Sequence, residues 1–229
     1  MGLFSRNTPQ VPGGPSPLRR RIGADVARTL EANPAVQSAG CSVAQIYYAV
    51  DFLTPAECDT LIGIIDAGVY PSGLLNNRNG ADFRTSFSCD LDRWSPEVHP
   101  VDERIAHLLG VDPDTGETLQ GQRYQPGQHF RAHHDYFDQN EPYWPKMRDS
   151  GGQRVWTAMA YLNDVEEGGA TWFPQAGIRV APRRGLLLMW NNMATDGSPN
   201  RFTVHEGMTV TKGTKYIVTK WFREGNWVR

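Results

Sequence analysis

Three side chains of the kinds that bind transition metals stand out in the C-terminal half of the chain. His133 and Asp135 are two positions apart, so in an extended strand both side chains face the same way. His205 follows in a later strand-like segment and supplies a second imidazole. Two histidines and one carboxylate form a facial triad, which binds Fe(II) on one side and leaves the opposite side open. These residues therefore predict a non-haem iron site.

The open side of such a site suits 2-oxoglutarate and O2 as further ligands. 2-Oxoglutarate chelates iron through two oxygens, and O2 takes the position that is left. The distal carboxylate of this co-substrate needs a cation, and Lys215 follows His205 by ten residues. We therefore expect Lys215 to hold that carboxylate, whereas Lys212 and Lys220 are interpreted as solvated charges on a C-terminal hairpin.

The same residues also fit other interpretations. A His-x-Asp triplet alone is common and also describes two solvent-facing polar residues. Two histidines and a carboxylate with a water suit hydrolytic zinc as well, although no residue stands out as its general base. A jelly-roll module that binds ligands without catalysis would keep the same fold. We interpret His129 and His134 as structural or rim residues and assign no role to His99 and His107.

Length and composition limit the class of protein. The 229 residues suffice for a single domain over 17–229, preceded by a Pro- and Gly-rich segment, 1–16, that is predicted to be a flexible tail. The 23 Lys and Arg nearly balance the 25 Asp and Glu, which argues against nucleic acid or a membrane as partner. Three cysteines without paired spacing indicate ordinary packing. With no long apolar run, we expect a cytoplasmic protein, monomeric or homodimeric.

The elements of the first half are predicted to be mainly helical. Apolar residues at every fourth position predict a helix over 17–33. Thr54 and Glu57 form a capping box that starts a second helix. Ser95, with the proline after it, is expected to start a third helix, which ends at Gly110.

The second half is predicted to consist of strands. Runs rich in Val, Thr, Tyr, Trp and Phe, separated by Gly and Pro, predict strands over 154–162, 178–181, 186–190 and 216–222. This spacing is typical of a sandwich or jelly-roll barrel. The aromatic residues expected in its core are Trp156, Tyr161, Trp172, Phe173 and Trp190. Two polar segments, 71–82 and 138–152, are interpreted as mobile loops able to cover a cleft.

Residues 43–229 resemble the prolyl 4-hydroxylase family of 2-oxoglutarate- and Fe(II)-dependent dioxygenases. The similarity is carried by six stretches, 51–58, 84–86, 124–137, 165–174, 182–185 and 205–221. The third of these reads Tyr-x-x-Gly-Gln-x-Phe-x-x-His-x-Asp-Tyr-Phe. Two positions depart from the family pattern: Phe130 stands where many members carry a tyrosine, and the residues after His205 replace the more usual Cys-Pro-Val.

The resemblance implies a mainly β (α+β) fold, with a double-stranded β-helix (jelly roll) core and supporting N-terminal helices. It implies that His133, Asp135 and His205 are the iron ligands. It further implies that Lys215, Tyr124 and Thr171 bind 2-oxoglutarate. The residues implied to contact the substrate are Arg154, Trp221, Tyr136 and Phe130.

The implied reaction is hydroxylation of an unactivated C–H bond, with 2-oxoglutarate and O2 consumed and succinate and CO2 released. Fe(II) is the implied cofactor, and L-ascorbate is a candidate reductant. The leading substrate hypothesis is prolyl 4-hydroxylation of a peptide or protein. The alternative within the class is hydroxylation of a free amino acid or another small molecule, prompted by Phe130 and the altered segment after His205.

Overall fold

The computed structural model describes residues 13–74, 80 and 82–227. Its α-helices are α1 Pro17–Glu31, α2 Pro55–Gly68, α3 His99–Leu109 and α4 Trp144–Asp149. Its strands are β1 Gln37–Ser38, β2 Ile46–Ala49, β3 Tyr70–Pro71, β4 Phe87–Asp90, β5 Gln120–Tyr124, β6 Phe130–His133, β7 Arg154–Tyr161, β8 Glu167–Gly168, β9 Thr171–Phe173, β10 Ile178–Val180, β11 Leu187–Asn191, β12 His205–Gly207, β13 Val210–Lys212 and β14 Lys215–Arg223.

The strands form two main antiparallel sheets and a short pair. The large sheet has eight strands in the order β1-β2-β11-β7-β14-β5-β4-β3, and the small sheet has four in the order β10-β9-β12-β6. β13 pairs with β8. Neighbours in the large sheet are distant in the chain, since β7 lies between β11 and β14. This is the jelly-roll architecture that the sequence predicts.

Side-chain alternation along the strands explains how the large sheet is buried on both faces. On β7, Trp156 belongs to the hydrophobic cluster shared with the helices, which contribute Leu30, Leu61 and Ile105. Met159, three residues further along β7, points to the opposite face of the sheet and belongs to the second cluster, which lies between the two sheets. The helices therefore support one face of the large sheet, and its other face is free to build a site with the small sheet.

The second helix begins as predicted. The Thr54 hydroxyl accepts a hydrogen bond from the Glu57 backbone N–H at 3.3 Å. The Glu57 carboxylate in turn accepts one from the Thr54 N–H at 2.8 Å. This reciprocal capping box satisfies two N–H groups that the first turn of a helix leaves without partners.

The third helix begins later than predicted. It starts at His99, and the residues before it form a turn in which the Val98 N–H donates to the Ser95 carbonyl. Pro100 has no N–H, so the helical hydrogen bond to the carbonyl four residues earlier cannot form. The predicted end is confirmed, because Gly110 takes the left-handed conformation (φ 67°) that closes the helix.

Two further predictions are wrong in part. Trp172 is 37% exposed rather than buried in the core, because it points outward on β9 while its neighbours Thr171 and Phe173 point inward. The predicted loop over 138–152 contains a short helix, α4. The four other aromatic residues predicted for the core are buried.

Lys220 is fully buried, which contradicts its interpretation as a solvated charge. β14 is a central strand, so a long side chain on it does not reach water. The Lys220 ammonium donates to the carboxylate of Asp102 in α3, and the Arg93 guanidinium lies 3.4 Å from the other oxygen of Asp102. A buried charge requires such a partner. Lys212, in contrast, is exposed and pairs with Glu166 at 2.6 Å.

The segment before α1 is anchored where the structure describes it. Ser16 accepts a hydrogen bond from the Arg19 N–H at 3.3 Å, and its own N–H donates to the Asp196 carbonyl at 3.1 Å. The rest of the predicted tail, 1–12, lies outside the described residues. None of the helices in the described ranges is long and apolar enough to cross a membrane.

Candidate active site

His133, Asp135 and His205 converge between the two sheets. His133 ends β6, Asp135 follows two residues later, and His205 begins β12 directly opposite His133 in the strand register. The ligand atoms of all three lie within 4.8 Å of one another. Each imidazole Nε2 is 3.8–3.9 Å from an oxygen of Asp135. Two metal–ligand bonds of about 2 Å can span such separations, so the three side chains are able to hold one ion.

Backbone carbonyls fix both imidazoles in one tautomer. Nδ1 of His133 lies 2.8 Å from the Arg131 carbonyl, and Nδ1 of His205 lies 2.9 Å from the Thr203 carbonyl. Because a carbonyl oxygen only accepts, both Nδ1 atoms must donate, which leaves the Nε2 lone pairs for the centre. The Thr157 hydroxyl donates to Asp135 at 2.7 Å and so orients the carboxylate.

The protonation states are those that a cation requires. Burial lowers the pKa of His133 to about 3, and the nearby His205 and Arg84 charges act in the same direction. For Asp135, burial opposes ionisation, but the two imidazoles, Arg154 and the Thr157 hydrogen bond outweigh it and lower the pKa. The site therefore presents a neutral His133 and a carboxylate near neutral pH.

Lys215 is a buried cation beside this group. It is 1% exposed, begins β14, and is paired with Tyr124 in the strand register. Its Nζ lies 5.1 Å from the centre of the Tyr124 ring and 5.4 Å from that of Tyr161. Burial without a neighbouring carboxylate lowers its pKa to about 7. In the part of the chain that the structure describes, no Asp or Glu pairs with Lys215, so no acidic side chain there neutralises its charge.

A small cavity of about 40 Å³ lies beside the triad. It is lined by His133, Asp135, His205, Tyr124 and Thr171, together with Gly207. Lys215 Nζ would lie 3.9 Å from a Cβ atom added to Gly207. The Thr171 hydroxyl accepts a hydrogen bond from Tyr161 at 2.7 Å and donates a long one to the Met159 sulfur at 4.0 Å. Lys215 thus lies next to Gly207 and Tyr124, two residues that line this cavity.

On its outer side the triad opens into a cleft of about 860 Å³. All four residues predicted to contact the substrate line this cleft. Arg154 lies over the Trp221 ring at 4.1 Å and donates two hydrogen bonds to Glu117, at 2.6 and 2.7 Å. Phe130 stacks on His133 with ring centroids 3.6 Å apart. Tyr136 is 5% exposed and stacks on His134.

Two residues of this cleft were not predicted from the sequence, Glu117 and Arg84. Glu117 fixes Arg154 and also accepts from Arg223, but it lies in a turn-rich stretch without a motif. Arg84 lies in one of the six matching stretches, yet we assigned it no role. As interpreted from the sequence, His129 and His134 do not join the triad: their rings contact the Asp82 and Tyr136 carbonyls.

Comparisons with known proteins identify the family. The family model described as the 2OG-Fe(II) oxygenase superfamily matches residues 119–223. Prolyl 4-hydroxylase 1 of Arabidopsis thaliana is 34% identical over 194 residues, which cover 76% of this chain and 67% of that protein. The chain belongs to the prolyl 4-hydroxylase family of 2OG-Fe(II) oxygenases. It spans about two thirds of the length of the curated relatives that it matches.

Solved structures agree with this assignment. The viral collagen prolyl hydroxylase of Paramecium Bursaria Chlorella virus-1, solved as a 2OG complex, is 26% identical, with a TM-score of 0.62 over 78% of this chain and 95% of that chain. A prolyl hydroxylase of Trichoplax adhaerens, solved with a hypoxia inducible factor peptide, superposes with a TM-score of 0.61 over 90% of both chains. At 16% identity the second comparison shows the fold alone. This 2OG-Fe(II) oxygenase thus has the jelly roll of its family.

Proposed function

We propose that this oxygenase hydroxylates proline residues in a peptide or protein, with Fe(II) held by His133, Asp135 and His205. The donor set fits the metal, since two imidazoles and one carboxylate provide three ligands and leave the cleft side free. Lys215 fits 2-oxoglutarate, since its buried ammonium lacks an anionic partner among the described residues. Tyr124 and Thr171 line the small cavity beside the triad and would contact the co-substrate.

Bound Fe(II), with 2-oxoglutarate and O2, supplies an oxidant able to hydroxylate an unactivated C–H bond, and 2-oxoglutarate leaves as succinate and CO2. The protein's own part is to bind, orient and exclude water. Phe130 and Trp190 cover the two imidazoles with aromatic rings, which keeps water away from them. Thr157 holds Asp135 in one orientation, and Asn192 donates to Thr157 at 2.9 Å behind it.

The shape and lining of the cleft carry the substrate proposal. At about 860 Å³ it is much larger than a single amino acid needs, and its walls include Tyr70, Phe83, Tyr143, Trp221 and Trp227. Aromatic-lined grooves suit proline-rich segments, because the extended polyproline conformation is already formed before binding and presents flat rings to the aromatic faces.

The direct test offers proline-containing peptides and free L-proline to the protein with Fe(II), 2-oxoglutarate and O2. The expected result is peptide-stimulated succinate release and a gain of one oxygen on a proline residue. Succinate release with free amino acids but with no peptide would overturn the peptide assignment and favour the small-molecule alternative. The variant Asp135→Ala is the control, because it removes an iron ligand from the same cleft.

Three statements stay predictions: L-ascorbate is the reductant, the protein is located in the cytoplasm, and it is a monomer or a homodimer. An ascorbate requirement is expected to be partial: omission should slow turnover progressively without abolishing the first cycles. A time course with and without ascorbate measures this directly.

A further inference from the structure

Arg84 is a cation of the substrate cleft that the mechanism does not use. Residues 83–85 run beside β6: the Arg131 N–H donates to the Phe83 carbonyl at 2.9 Å, and the Thr85 N–H donates to the His129 carbonyl at 3.1 Å. This pairing brings Arg84 opposite Phe130. The guanidinium carbon lies 4.8 Å from the centre of the Phe130 ring, which also stacks on His133. One aromatic ring therefore contacts both Arg84 and a candidate iron ligand.

The hydrogen-bond partners of Arg84 are all neutral. Its guanidinium donates to the hydroxyls of Ser86 and Ser88 at 3.2 and 3.1 Å, to the Gln120 side-chain oxygen at 3.1 Å, and to the Gly73 carbonyl at 3.4 Å. These contacts fix the orientation of the group without neutralising its charge. The planar fork of Arg is suited to carboxylates, and Arg84 lines the cleft.

Apart from Lys215, the most deeply buried other Lys and Arg side chains of the described residues contrast with Arg84, because they have a carboxylate partner. The pairs are Arg19 with Glu224, Arg93 and Lys220 with Asp102, and Arg154 and Arg223 with Glu117. Among the residues of the described ranges, no ion pair involves Arg84. The sequence outside those ranges contains no Asp or Glu at all, so no acidic side chain there can neutralise it.

We propose that Arg84 binds a carboxylate of the substrate, so that this oxygenase prefers proline substrates with a negative charge close to the hydroxylated ring. The inference rests on the proposed function, because it names the substrate class of the same cleft. The carboxylate belongs either to an acidic side chain next to the proline or to the C-terminus of a chain that ends in proline.

The test is a set of short peptides that differ only in charge. A single Glu is moved through the positions around one proline in end-blocked peptides, and a matched set carries Gln instead. A peptide that ends in proline is offered with a free carboxylate and as its amide. Binding is measured under nitrogen with Fe(II) and 2-oxoglutarate, and succinate release is measured separately in air.

In the wild-type protein we expect at least one carboxylate peptide to bind about tenfold more tightly than its neutral match, as a charge-assisted hydrogen bond provides. In Arg84→Gln this ratio should fall to about one, whereas Arg84→Lys should keep part of it. Loss of a purely structural contact would weaken both peptides equally and leave the ratio unchanged. Arg123→Gln is the matched control. Arg123 lies on the face of β5 opposite to Gln120, which contacts Arg84, and it pairs with Asp66 at 2.7 Å.

Equal affinity for every charged and neutral pair, or an unchanged ratio in Arg84→Gln, would overturn the proposal. Absence of binding by all carboxylate compounds would overturn it as well. Turnover without any charge preference would leave the proposed prolyl hydroxylation standing and remove only the role of Arg84. A charge preference in binding without succinate release would support the role of Arg84 and contradict the proposed prolyl hydroxylation.

Discussion

At the scale of the residue, Lys215 is a buried cation that we propose holds the distal carboxylate of 2-oxoglutarate. In Lys215→Met we expect the KM for 2-oxoglutarate to rise by about tenfold to a hundredfold, since a charge-assisted hydrogen bond contributes about 1.5–3 kcal/mol. Steady-state succinate release at saturating peptide measures the effect. Lys212→Met is the matched control, because Lys212 is exposed and pairs with Glu166. An unchanged KM in Lys215→Met would contradict the role of Lys215.

The buried ammonium of Lys215 also predicts a pH dependence of stability. Burial lowers its pKa from 10.5 to about 7. Between these values the unfolded chain holds a proton that the folded chain without co-substrate has lost, so this group makes the protein more stable as pH rises. Lys215→Met lacks the effect. Its advantage in Tm over the wild type, without 2-oxoglutarate, should be greatest at pH 7 and should shrink toward pH 10; an advantage that grows with pH would contradict this account.

At this scale, the sequence indicates the residues that could bind a metal better than it indicates which buried side chains form ion pairs. The spacing of His133 and Asp135 and the position of His205 suffice to propose a triad, and the structure brings all three together. Glu117 and Lys220 were missed for a physical reason. Their roles depend on Arg154 and Asp102, which are far away in the chain, and no local pattern reports such pairs.

At the scale of the element, the Lys220–Asp102 pair ties β14, which begins with Lys215, to α3. In Asp102→Asn the buried Lys220 loses its carboxylate partner, and Arg93 loses the nearer of its two. We expect a loss of about 3–5 kcal/mol in the free energy of unfolding, as for other broken buried pairs. Urea titration measures it. The double variant Asp102→Asn with Lys220→Met should recover part of the loss.

The control for this prediction is Glu103→Gln on the same helix, whose partly exposed side chain lies 3.7 Å from Arg93. It should change the free energy of unfolding by no more than about 0.5 kcal/mol. If Asp102→Asn were as mild as Glu103→Gln, the buried pair would not be what joins the strand to the helix.

Element boundaries were predictable where the deciding contacts are local. The Thr54–Glu57 capping box and the glycine at 110 each involve a few adjacent residues, and both are found. The start of α3 was not predicted, because the signal at Ser95 was read without the effect of Pro100 one turn later. The short helix α4 lacks a side-chain cap, so the sequence carries no capping signal for it.

At the scale of the whole molecule, the pattern of strands and turns predicted a jelly roll, and the resemblance predicted its family. Strand order and register were beyond the sequence, because β12 joins β6 and β9 through pairings that no local pattern encodes. That register is what sets His205 opposite His133. Bound Fe(II) and 2-oxoglutarate should therefore stabilise the assembled sheets and raise Tm, as ligands that bind only the native state do.

The most direct test of the account is to form the iron chelate under nitrogen and record its weak visible charge-transfer band. Wild-type protein with Fe(II) and 2-oxoglutarate should show the band. His134→Ala should show it too, because His134 turns away to the Tyr136 carbonyl. His133→Ala should lack it while keeping the far-ultraviolet circular dichroism of the wild type. A band that persists in His133→Ala, or no band in folded wild-type protein, would contradict the assignment of the iron centre.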